Sequence, residues 1–115
     1  MKKIAQSYRI AGRFEVTLCN PTMNCIIYVC DNSETSIYQK YNECARFAKH
    51  YGYSIYSKVL DFSNAEFHKA VDKVTFNDDV SCLIVYDKNS IGDYETSLFY
   101  QIYLDKFGKK LISVY

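Results

Sequence analysis

Cys25-Ile26-Ile27-Tyr28-Val29-Cys30 is a continuous apolar run of β-forming residues, the pattern of a strand buried on both faces. The period then changes. From Ser33 to Tyr51 apolar residues recur at Ile37, Tyr41, Cys44, Ala45, Ala48 and Tyr51, which is helical spacing, and Gly52 supplies a stop. Tyr53 to Leu60, with Ile55, Tyr56, Val59 and Leu60, fits a second strand. Ser63-Asn64-Ala65-Glu66 has the capping-box pattern, and Phe67, Ala70, Val71 and Val74 line one face of a short helix ending near Phe76. After the turn Asn77-Asp78-Asp79, the stretch Val80 to Tyr86 is the most strand-like in the chain and is expected at the centre of a sheet. The loop Asp87 to Asp93 leads into a third helix whose core face is predicted to carry Leu98, Phe99, Ile102, Tyr103 and Phe107. Gly108 closes that helix before a last strand, Leu111 to Val114.

This βαβαβαβ order predicts an α/β fold of three layers: a mostly parallel sheet of four to five strands with helices on both faces and right-handed crossovers. A site is expected where strands end and helices begin. Residues 1–24 stand outside the repeat as an N-terminal extension. In it Arg13-Phe14-Glu15-Val16-Thr17-Leu18 alternates like an edge strand and Asn20-Pro21 reads as a turn.

With 115 residues the chain suits one domain with its own core, too small for a catalytic domain plus a separate DNA reader. Fourteen basic and 13 acidic residues leave a net charge of +1, so no overall field draws it onto a phosphate backbone, and DNA binding by the chain alone is expected to be weak or absent. No apolar stretch approaches the roughly 20 residues that span a bilayer, and Met1-Lys2-Lys3 leads into mixed polar sequence instead of a signal-peptide core; a cytoplasmic protein without membrane contact is expected. The five cysteines, Cys19, Cys25, Cys30, Cys44 and Cys82, are odd in number and show no C-x-x-C pair, which favours small buried thiols over a disulfide framework or zinc site.

Asp31, Asp61 and Asp87 each follow a core strand. Carboxylates converging there would suit a magnesium ion in phosphoryl transfer or nucleotide binding, but Asp also favours turns and helix starts for backbone reasons alone. Cys30 precedes a helix start, which favours a thiolate, although no histidine is near in sequence. His50 and His68 lack metal-ligand spacing and read as surface residues. Lys106, Lys109 and Lys110 complement a helix C-terminus as readily as they would touch phosphate. Tyr94, Tyr100, Tyr103 and Tyr115 crowd the carboxyl third; core burial is the simpler expectation, and an interaction surface follows if several face outward together.

From about Cys25 to Val114 the succession of segments resembles the catalytic domain of serine recombinases, the resolvase and invertase family, most closely its large transposon-type branch. The carrying segments are Ile27-Tyr28-Val29, Ala48 to Tyr53 and Asp61 to Phe67, then Leu83 to Asp87 running into Ile91-Gly92, and Phe107 to Val114. The resemblance implies site-specific DNA recombination by a serine that attacks the scissile phosphate, with arginines binding phosphate oxygens in pairs. It implies no cofactor.

At the implied positions the chemistry has changed. Following the first strand without a gap, the family's arginine falls on Cys30 and its nucleophile on Asn32, with Ser33 adjacent if the register slips by one. Anchored on Gly92, the flanking arginines fall on Ser90 and Asp93; another falls near Ala65, and the expected glutamine near Gln39 or Lys40. Since one electrostatic donor is typically worth ~2.7–4 kcal/mol in a transition state, an inactive domain is expected. The sequence also ends at Tyr115, where the family continues into a long dimerisation helix and a DNA-binding domain. Residues 25–115 are thus expected to form a resolvase-like pseudoenzyme, an interaction or regulatory module or mobile-element remnant. Its expected partner is itself or an intact serine recombinase.

Overall fold

The computed structural model describes residues 23–63 and 65–115. Strand β1 (Asn24–Cys30) leads through α1 (Glu34–His50) to β2 (Ser54–Asp61). Helix α2 (Phe67–Thr75) leads to β3 (Cys82–Val85), and a 3-10 turn (Lys88–Ile91) precedes α3 (Tyr94–Lys106) and β4 (Lys110–Ser113). The sheet order is β2-β1-β3-β4 with every neighbouring pair parallel. The predicted α/β class, element order and central position of the third strand are therefore observed. The edge-strand pattern at Arg13 to Leu18, the turn at Asn20-Pro21 and Cys19 lie outside the described residues.

Strand alternation divides the core in two. Cys25, Ile27 and Val29 point to one face and pack with Ile37, Cys44 and Ala48 of α1, joined by Cys82 and Ile84 of β3. Ile26 and Tyr28 point to the other, where α2 contributes Phe67, Ala70, Val71 and Val74 and α3 contributes Leu104. A strand apolar on both sides is what this double burial requires. The chain leaves β1 in one direction with its helix on one face, then returns in the other direction with helices on the opposite face, so the crossovers share one hand. The strand order reverses at the junction of β1 and β3, the place where a parallel α/β sheet commonly carries its site.

Several local expectations are corrected. The third strand is Cys82–Val85, shorter than Val80 to Tyr86, although backbone bonds to its neighbours continue at Ser81 and Tyr86. Ser63 does not cap α2: Glu66 is the N-cap and receives no side-chain cap bond. The Glu66 N–H that a Ser63 cap would have taken donates instead to the Asp61 carboxylate, at 2.8 Å.

The largest correction concerns α3. Its inward residues are Ser97 and Leu104 (6% and 0% exposed), whereas Leu98 (40%), Phe99 (59%), Ile102 (53%) and Phe107 (46%) are exposed. Of the predicted core face only Tyr103 is half-buried against the core, together with Tyr100. The helix is apolar on two sides, and the small Ser97 is buried on the inward one.

Candidate functional site

Parallel strands deliver the chain ends of β1, β2 and β3 to one edge of the sheet. Register places Cys30 opposite Asp61, and the Asp31 N–H donates to the Asp61 carbonyl at 3.1 Å. The predicted positions after these strands are therefore neighbours along one edge.

In the loop after β1 the Asp31 carboxylate accepts from the N–H groups of Asn32 (2.7 Å) and Ser33 (3.3 Å) and pairs with the Lys40 ammonium at 3.0 Å. Lys40, aided by those N–H groups, holds Asp31 below the usual carboxylate range. Asn32 is exposed. Ser33 is the N-cap of α1, its hydroxyl accepting from the Ser36 N–H at 3.4 Å, so the nearest hydroxyl to the implied nucleophile position serves the helix start.

Asp61, at the end of β2, is buried. Its carboxylate accepts from the Tyr28 hydroxyl (2.7 Å), from the Ser63 N–H and hydroxyl (2.9 and 3.0 Å) and from the Glu66 N–H. Burial opposes its charge, but these donors outweigh burial and lower its pKa to about 2. The same burial and the adjacent carboxylate push the Tyr28 hydroxyl well above its ordinary value. Ala65, near another implied arginine position, is exposed and has no polar side chain.

After β3, Asp87 caps the 3-10 turn by accepting from the Asn89 N–H at 2.9 Å. Its carbonyl accepts from the Ser90 hydroxyl at 2.6 Å. Asp93 caps α3, accepting from the Thr96 N–H at 2.8 Å, which keeps its carboxyl below the ordinary range. Between them Gly92 has φ 143°, and a Cβ there would stand 2.8 Å from Thr96 Cγ2. Glycine is thus required on two counts, left-handed backbone and close approach.

Lys40 joins these loops. Besides pairing with Asp31 it lies 5.3 Å from the centre of the Tyr86 ring, which packs at 4.9 Å on Tyr115, whose hydroxyl donates to Glu43. In the sequence Lys40 stands out only as a place where the family's glutamine falls, with Gln39 beside it. Its position on α1 facing the acidic loop was the available signal. The Tyr28–Asp61 bond left none, because its partners are 33 residues apart.

The aspartates proposed for a metal are thus committed to N–H groups: Asp31 and Asp87 in their own loops, Asp61 at the start of α2. Among the described residues no group of three or more His, Cys, Asp or Glu side chains could hold a metal ion. Of the cysteines, Cys25, Cys44 and Cys82 are buried, and Cys30 is half-buried against the core face shared with Tyr28. His50 ends α1 and His68 lies on α2, both exposed. Lys109 donates to the carbonyls of Asn77 and Val80 at 2.9 and 2.5 Å, a structural tie near the opposite edge of the sheet. Among the described residues no helix is long and apolar enough to cross a membrane.

No protein-family model matches the chain, and no curated protein matches it. Among solved structures it is similar to the C-terminal catalytic domain of ISC1926 TnpA, an IS607-like serine recombinase, with a TM-score of 0.67 over 80% of this chain and 70% of that one, at 15% identity. The chain therefore has the fold of a serine recombinase catalytic domain.

Proposed function

We propose that this is a recombinase-like domain that does not cut DNA and works as an interaction or regulatory module, assembling with itself or with an intact serine recombinase. The observation that carries this reading is the charge in and beside the loops after β1 and β3. Where paired phosphate-binding cations are needed stand Cys30, Ser90 and Asp93. Asp31, Asp61 and Asp93 are all held as carboxylates by their hydrogen bonds. Lys40, the cation that bridges the two loops, is committed to Asp31. A phosphodiester entering here would meet negative charge where its transition state needs positive charge.

Strand cleavage would require the Ser33 hydroxyl to form a bond to phosphorus while the bond to a deoxyribose oxygen breaks and that oxygen takes a proton. The hydroxyl is engaged at the start of α1, and Ser90 and Asp93, tied within their own loop, carry no positive charge to clamp a phosphate. The test is incubation of the full chain with random-sequence duplex DNA, denaturing quench and mass spectrometry. No phosphoserine-linked adduct is expected; an adduct absent from Ser33→Ala would refute inactivity. A regulatory role further predicts that adding the chain to an intact recombinase lowers its recombination yield.

A further inference from the structure

The outward face of α3 is the surface for which the fold has no use. A helix apolar on both sides belongs in a buried setting, yet only the Ser97–Leu104 side is covered. Tyr94 (77% exposed), Leu98, Phe99 and Ile102 together leave on the order of 500 Å² open, a large part of the roughly 800 Å² that each partner gives to a standard interface.

The charges around this stripe indicate what covers it. Glu95 and Lys106 are exposed and eleven residues apart, so at 3.6 residues per turn they lie on one side of the helix, about 16 Å apart along its axis. They flank Phe99 and Ile102, whose midpoint along the chain coincides with that of Glu95 and Lys106. The pattern is therefore self-complementary when the helix is reversed.

We propose that α3 is a homodimer interface in which two copies pack antiparallel about a two-fold axis crossing the helix between Tyr100 and Gln101. Phe99 packs on the second copy's Ile102, and Glu95 pairs with the second copy's Lys106, each contact occurring twice by symmetry. Leu98 fills the flank. Charge at both ends fixes the antiparallel direction, because a parallel pair would set Glu95 against Glu95 and Lys106 against Lys106. This deepens the self-association part of the proposed function, and rests on it, by naming the surface and the partner.

Sedimentation velocity of the full chain over a concentration series tests it. The wild type is expected to show a monomer–dimer equilibrium, and Ile102→Asp to remain monomeric at every concentration with an unchanged circular dichroism spectrum, since the residue is exposed. Glu95→Lys alone and Lys106→Glu alone should each weaken the dimer about tenfold, and the double exchange should restore it, because both symmetric pairs are then reversed. A wild type monomeric throughout, a dimer untouched by Ile102→Asp, or a double exchange no better than the singles overturns the proposal. Failure of the inactivity reading shows separately as a covalent DNA adduct, whatever the assembly state.

Discussion

The Tyr28 hydroxyl donates to the buried Asp61 carboxylate at 2.7 Å, joining the middle of β1 to the end of β2 and fixing the edge on which the candidate site stands. Tyr28 also packs edge-on against Phe67 at 5.0 Å, so one side chain holds both the polar knot and the first residue of α2. Removing only the hydroxyl leaves a buried carboxylate short of a donor. Tyr28→Phe should therefore cost about 1–3 kcal/mol in chemical denaturation, more than a neutral surface change.

Asp61 also sets an acid dependence. Its folded pKa of about 2 lies below the ordinary 3.8, so the stabilisation is complete above the unfolded value and is lost as pH falls through that interval. The shift corresponds to about 2 kcal/mol, which the wild type should lose on going from pH 4 to pH 2. Asp61→Asn should be less stable at neutral pH and should lose most of this slope, as read by urea denaturation at fixed pH values.

Lys40 is predicted to control the titration of Asp31. In Lys40→Met the Asp31 carboxyl should titrate at higher pH than in the wild type, followed by carboxyl carbon shifts in NMR, because the first cause of its lowering has gone. An unchanged midpoint would assign the shift to the loop N–H groups instead. The Tyr86 ring resonances should move in the same variant, since the ammonium lies over that ring.

Gly92 and Gly52 separate two reasons for glycine. Both have positive φ, but a Cβ at Gly52 meets nothing within 4 Å, whereas one at Gly92 meets Thr96. Gly92→Ala should destabilise by more than about 1 kcal/mol and by more than Gly52→Ala, measured by thermal and chemical unfolding. Equal costs would mean that backbone conformation alone matters.

The two sides of α3 make opposite predictions. Leu104→Ala should cost about 2–5 kcal/mol, because Leu104 is fully buried in the α2–α3 core. Ile102→Ala should change monomer stability by no more than about 0.5 kcal/mol. The reverse ranking would restore the face expected from sequence.

These residues also show what the sequence made legible. β1 and β3 are readable because burial on both faces writes a continuous apolar run, and α1 because Ile37, Cys44 and Ala48 mark one side. α3 misleads because its outward stripe is as apolar as its inward one: Ser97 is buried and Ile102 is not, so hydropathy alone does not tell the two sides apart. Ser63 misleads for a different reason. Its spacing to Glu66 suits a cap, but Asp61 arrives from β2 with a stronger acceptor and takes the same N–H. The site positions after the strands follow from topology. The pairings Tyr28–Asp61 and Lys40–Asp31, which determine their charge, depend on the neighbours that the fold supplies.

The proposed inactivity rests on the loops after β1 and β3 having no affinity for phosphate. It is tested most directly by titrating the isotopically labelled full chain with a short phosphodiester and following the backbone amides of residues 30–33 and 87–93 by NMR. No saturable shift is expected in either loop while the protein remains folded. Saturable shifts in both loops, weakened in Lys40→Met, would contradict it and give these loops a phosphate-binding role.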